Sequence, residues 1–94
     1  MSIESFTHKG LRELFENETT RKIGKTYHKK IKELLDILDA ACNPKDLAGV
    51  SNFHQLKGAR TGEHALHVNG NYCLIFKFKD GDVTDLDFED YHGK

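Results

Sequence analysis

The segment "FEDYHGK" sets Asp90, Tyr91 and His92 side by side, three groups that accept, donate or carry a proton. Upstream, "HQLKGAR" adds His54, Lys57 and Arg60. Such a set suits phosphodiester cleavage in RNA. There the 2′-hydroxyl loses a proton as it attacks phosphorus, the departing 5′-oxygen gains one, and the phosphorane charge needs donors. Imidazole titrates near pH 6.5 and takes either proton role near neutrality. Lys57 and Arg60 can hold phosphate oxygens, and Tyr91 can orient a phosphate or stack on a base. The residues are compatible with this chemistry without specifying it.

Other chemistries find less support. Among six histidines, His64 and His67 stand three apart on a predicted strand and so point to opposite faces. A metal site built from His54, His64, His92 and Cys73 needs long-range convergence that no local spacing encodes. The expectation is no metal and no cofactor. No Gly-rich phosphate loop, GxSxG elbow or HExxH occurs. Cys73 has no adjacent base and reads as a small packing residue. With Cys42 it forms no CxxC pair, and two cysteines are too few for a disulfide scaffold, so a reducing cytoplasm is expected. No apolar run approaches the ~20 residues that span a bilayer, and no signal peptide opens the chain.

The elements that must position these groups are legible from periodicity. The 94 residues make one domain, residues 1–94, with 37% hydrophobic and 31% charged residues. "SIESF" is a short strand candidate, and "HKGLRELFEN" carries Leu11, Leu14 and Phe15 at helical spacing. Tyr27, Ile31, Leu34, Leu35, Leu38 and Ala41 form one apolar stripe on a helix of roughly five turns. "CNPKD" stops it. The period then switches to two. "FHQLK" is a short strand, "KGARTG" a loop, "EHALHV" a strand and "NGN" a hairpin signal. In "YCLIFKFK" and "VTDLDFED" the inward residues are Tyr72, Leu74, Phe76 and Phe78, then Leu86 and Phe88. A loop of three residues at 80–82 pairs Phe76 with Leu86 and Leu74 with Phe88, and sets Lys77 opposite Asp85. The predicted class is α+β, with two N-terminal helices on an antiparallel, partly mixed sheet of four to five strands.

Strand parity places Asp90 on the side of Leu86 and Phe88, and His54 with Leu56. A carboxylate turned toward an apolar side becomes a proton carrier. The plainer alternative is that alternation fails at the strand end and Asp90 faces water.

Net charge is −1, yet residues 21–32 hold six basic residues and no acid, while residues 80–90 hold six acids and no base. Arg21, Lys22, Lys25, Lys29 and Lys30 crowd a helix N-terminus, where the macrodipole disfavours cations by ~0.3–1 kcal/mol each. One reading is a solvated face with Lys29/Glu33 and Lys32/Asp36 pairs. The other is a patch that meets a phosphate backbone.

"SFTHKGLRELFE", "HQLKGARTG", "VNGNY" and the terminal "EDYH" together resemble the HigB toxins, plasmid-maintenance killers of the RelE/ParE superfamily. The resemblance runs nearly the whole chain in order. It implies a RelE-like fold and a ribosome-dependent endoribonuclease, an mRNA interferase that enters the decoding site and cuts translated mRNA. It also implies a HigA-type helix-turn-helix antitoxin. By this resemblance the catalytic residues are His54, Asp90, Tyr91 and His92, Lys57 contacts phosphate, and the basic stretch faces ribosomal RNA. The last residues and His54 would then meet in one cleft. Family members often carry Trp where this chain has His64 and Tyr72, and tend to carry Arg at position 73. If that Arg steadies the scissile phosphate, its absence slows the reaction or shifts the task to Arg60 or Lys57. The alternative function, from ParE-like relatives, is non-enzymatic inhibition of DNA gyrase.

Overall fold

The computed structural model describes residues 3–90. Two helices, α1 (Lys9–Asn17) and α2 (His28–Ala40), precede four strands: β1 (His54–Gln55), β2 (Glu63–His67), β3 (Tyr72–Lys79) and β4 (Asp82–Asp90). Single 3-10 turns stand at Lys25–Tyr27, Pro44–Leu47 and Gly58–Arg60. The strands form one antiparallel sheet in chain order. "SIESF" lies alongside β4 as an extended segment, with Ile3 bridging Val83 and Phe6 bridging Leu86 in parallel. The expected α+β class, mixed at one edge of the sheet, is therefore the one observed.

α2 buries Ile31, Leu34, Leu35 and Leu38 against Leu66, Leu74, Phe76 and Leu86 of the sheet. At 13 residues it is about three and a half turns long, shorter than the stripe suggested. Tyr27 belongs instead to the preceding 3-10 turn, and Ala41 leaves the helix with ψ 140°. The Tyr27 ring packs on Tyr72 at 5.2 Å and on Phe88 at 6.1 Å, which ties the start of α2 to the end of β4. The inverted charge of α2 has a local partner at each end. Lys32 Nζ donates to the Glu18 carbonyl at the C-cap of α1 (3.5 Å), and Asp39 accepts from the Ile3 amide (3.1 Å).

His8 caps α1: its Nδ1 accepts from the Gly10 and Leu11 amides at 3.0 and 3.4 Å. That leaves no room at position 10, where an added Cβ would stand 2.8 Å from the His8 ring and 2.9 Å from Lys22 Cβ. Alanine favours a helix over glycine by ~1 kcal/mol. Gly10→Ala is nonetheless expected to lower stability by about 1–3 kcal/mol, because the clash displaces both cap and loop. Urea denaturation checks it; an unchanged or raised midpoint would contradict the packing.

The β3–β4 hairpin differs from its predicted register. Asp80 and Gly81 alone form the turn, both at positive φ (53° and 86°), so Lys79 pairs with Asp82 and Lys77 with Thr84. An Asp-Gly dipeptide suits this two-residue turn, whose twist matches the strands. The register then shifts between Ile75 and Lys77, where Asp85 adopts φ 54°. This bulge sets two β4 residues against one on β3. Beyond it Leu74 pairs with Phe88, as expected. It also lets Val83 and Leu86, three apart, both reach the core. The N-terminal segment docks there: Ser5 Oγ accepts from the Asp85 amide (2.9 Å), and Ser5 O accepts from that of Leu86 (3.2 Å). Lys77 still approaches Asp85, at 4.0 Å.

Candidate active site

The sheet face away from the helices carries a small apolar floor of Leu56, Ala65, Cys73 and Ile75. His54 opens β1 opposite Ala65, so its side chain belongs to this open face, on the parity shared with Leu56. His67 shares it, and the two imidazole centroids lie 5.4 Å apart. No spacing within either strand announces this pair; it arises because β1 folds back antiparallel on β2. His54 Nδ1 lies 2.9 Å from the Asn52 carbonyl oxygen. A carbonyl only accepts, so the ring nitrogen donates, and in the neutral ring the lone pair resides on Nε2. This imidazole has the tautomer of a base acting through Nε2.

Lys57 is exposed beside β1 at the start of the Gly58–Arg60 turn. Gly58 has φ 69°, a conformation that disfavours a side chain and turns the chain back over the sheet. Arg60 then reaches across it. Its Nε donates to Glu63 (2.6 Å), and Nη1 and Nη2 donate to the two carboxylate oxygens of Glu89 (2.9 and 2.8 Å). The bonds from Glu89 and Glu63 raise the Arg60 pKa, and the Arg60 bond in turn lowers that of Glu89. All three guanidinium nitrogens therefore hold carboxylates. A phosphate meeting Arg60 has Glu89 as its competitor. Bidentate pairing gives this half-exposed bridge more worth than a lone surface pair. Arg60→Ala is expected to cost about 1–2 kcal/mol at pH 7. The Glu89 carboxylate is held below its usual 4.5. The contribution is thus complete above that pH and is lost as pH falls through the depressed value. In thermal melts the gap between the two proteins should narrow from pH 7 to pH 3; a gap that widens toward acid would refute the bridge.

Cys73 lies directly opposite Glu89 and is fully buried. Burial first, and then the Glu89 charge, push its thiol up to about 11. It stays protonated near neutrality and is a packing residue of the floor, not a nucleophile.

Asp90 pairs with Tyr72, on the side of Phe88, and is exposed at the strand end. The stacked Tyr72 and Phe88 rings (5.0 Å) hold that end to the helix layer. β1 and β4 stand three strand spacings apart, about 14 Å between backbones. The strand register thus sets His54 and Asp90 at opposite margins of the sheet. The expected meeting with the chain end falls on Tyr91 and His92, which lie outside the described residues. Among those described, no group of three or more His, Cys, Asp or Glu is placed to hold a metal ion.

Residues 4–92 match the model of the HigB-like toxins, RelE-like toxins of type II toxin–antitoxin systems. The chain belongs to this family. It is 36% identical over 91 residues to the Endoribonuclease HigB of Proteus vulgaris, covering 96% of this chain and 99% of that one. An uncharacterized protein of Haemophilus influenzae is 30% identical over 71 residues, 73% of this chain and 70% of that one. Among solved structures, the YoeB–YefM complex from Staphylococcus aureus superposes with a TM-score of 0.61 at 18% identity, covering 95% of this chain and 99% of that one. The YoeB dimer of the same organism gives 0.61 at 19% identity, over 98% and 99%. The expected RelE-like fold is thereby established, and the match to a HigB endoribonuclease favours RNA cleavage over gyrase inhibition.

In this HigB-like toxin the basic stretch divides between two regions. Arg21, Lys25, Lys29 and Lys30 are exposed, while Lys22 Nζ is paired with Glu13 at 3.0 Å. Lys25, Lys29 and His28 line an open cleft of about 500 Å³ against Glu18 and Glu33. Lys30 faces elsewhere, into a cleft of about 370 Å³ shared with Ser51, Asn52, His67 and Asn69. It thus shares a cleft with His67, an association that the helix periodicity alone did not reveal. No helix among the described residues is long and apolar enough to cross a membrane.

Proposed function

We propose that this HigB-like toxin is a ribosome-dependent endoribonuclease that enters the decoding site and cuts translated mRNA. The carrying observation is the His54 imidazole, fixed through Nδ1 on the open face. In this reading His54 Nε2 takes the proton of the 2′-hydroxyl as that oxygen attacks phosphorus. A 2′,3′-cyclic phosphate forms and the P–O5′ bond breaks. Tyr91 and His92 supply the proton to the departing 5′-oxygen and hydrogen bonds to the phosphorane, while Asp90, across the sheet from His54, acts only through these two neighbours. Lys57 holds phosphate oxygens on the open face, and Arg60 joins it only by releasing Glu89. Arg21, Lys22, Lys25, Lys29 and Lys30 meet ribosomal RNA through its phosphates. The partner that restrains the toxin in the cytoplasm is a HigA-type helix-turn-helix antitoxin; an antitoxin as such is part of every type II system.

Primer extension after brief induction tests the reaction. Cuts inside translated frames, absent when translation initiation is blocked, are the expected result. Growth arrest with intact mRNA and relaxed or linearised plasmid would instead point to gyrase.

A further inference from the structure

Between Val50 and His54 the backbone does something costly. Ser51 and Asn52 both have positive φ, 40° and 56°. The Phe53 amide donates to the Val50 carbonyl (2.8 Å) and closes a turn of the type-I′ kind around them. Asparagine tolerates this conformation; serine, lacking glycine's freedom, is uncommon there. Non-glycine residues in the left-handed region cost about 1–3 kcal/mol and persist only where their surroundings over-determine them.

Three contacts do so. The Ser51 carbonyl accepts from the His67 amide (2.8 Å), which fastens the turn to β2. On the helix side, the Phe53 ring stacks on His64 at 5.5 Å and Phe76 at 6.3 Å. The third contact faces the open side, where the Asn52 carbonyl accepts from His54 Nδ1 at 2.9 Å. An extended residue 52 would point its carbonyl elsewhere. The left-handed turn is what brings that oxygen back onto the ring of the residue two places on.

We propose that Asn52 is a positioning residue: the Ser51–Asn52 turn, clamped to β2 through His67, holds His54 as the Nδ1–H tautomer with its lone pair on Nε2. This rests on His54 being the base of the proposed reaction. The turn contributes through backbone conformation, so position 52 matters for its φ and not for its amide. Without the carbonyl the ring loses the hydrogen bond that favours a proton on Nδ1, and the two nitrogens compete for it.

Long-range ¹H–¹⁵N correlation spectra of the whole protein, labelled on histidine and recorded at pH 8, read the tautomer directly. His54 is assigned by the signals lost in His54→Ala. The expected result is a protonated Nδ1 and an unprotonated Nε2. Asn52→Val, disfavoured at positive φ, should mix the tautomers and lower kcat for mRNA on programmed ribosomes about 10²-fold with KM nearly unchanged. Asn52→Gly, at home in the turn, should restore both. An Nε2–H tautomer in the wild-type protein overturns the proposal and needs no variant, so an unfolded Asn52→Val does not shield it. A folded Asn52→Val with wild-type tautomer and kcat overturns it too. If His54→Ala cleaves normally while the wild-type spectrum is as expected, the base assignment fails and the positioning stands.

Discussion

Replacing His54 with alanine is expected to slow cleavage of ribosome-bound mRNA by about 10²–10⁴-fold, the span that one well-placed general base supplies. Stability should change little. The side chain is half-buried at the sheet margin, and the hydrogen bond it gives up to Asn52 is worth about 1 kcal/mol. The thermal midpoint therefore stays within a few degrees of the parent. A rate measured under single-turnover conditions separates this from a loss of ribosome binding, since the deficit should lie in kcat and not in KM. His54→Ala with full activity would remove the imidazole from the reaction, whatever its tautomer.

The second large effect concerns His64, which does its work on the other face of the sheet. It is 7% exposed, and its Nδ1 has no hydrogen-bond partner among the described residues. Its ring is stacked on Phe53 (5.5 Å) and Phe76 (5.8 Å) and meets Phe78 edge-on (5.6 Å). An orphaned polar atom in such a nest costs about 1–3 kcal/mol. His64→Phe keeps the ring and removes the orphan, so it should raise stability by about that amount at neutral pH. Burial also lowers the His64 pKa below 6.5. Below the unfolded value the denatured chain binds more protons than the native one, so stability falls as pH drops from about 6.5 toward the depressed native value. Phenylalanine abolishes that dependence. The gap between variant and parent in urea denaturation should consequently be wider at pH 5.5 than at pH 7.5. A gap that is constant, or of the opposite sign, would mean that the imidazole finds a partner in solution.

His64 and His54 also show how far residue order carries. Alternation alone separates His64, on the side of Leu66 and Val68, from His67 on the opposite face, and both sit where it places them. The α2 stripe, the Pro44 stop and the sequence of strands are likewise local, since periodicity, caps and turn dipeptides act over a few residues. The hairpin shows the limit. Asp80–Gly81 is a strong two-residue turn signal, and matching the apolar faces argued against it. A bulge at Asp85 satisfies both demands, but only because the N-terminal segment is there to bond the irregular backbone. Nothing within the hairpin announces that third strand-like partner. Arg60 is a parallel case: as a basic residue in a loop it reads as a phosphate ligand, and its carboxylate partner Glu89 lies 29 positions away.

By itself, the order of residues determined the class of fold, the toxin family, and which side chains are equipped to move a proton. Tertiary structure alone decided that His67 neighbours His54, that Arg60 is held by Glu89, and that a strained turn orients the imidazole. The division has a physical cause. Helix and strand signals are written in the few residues that form each element, whereas these contacts join segments whose pairing register is chosen by burial of the whole core.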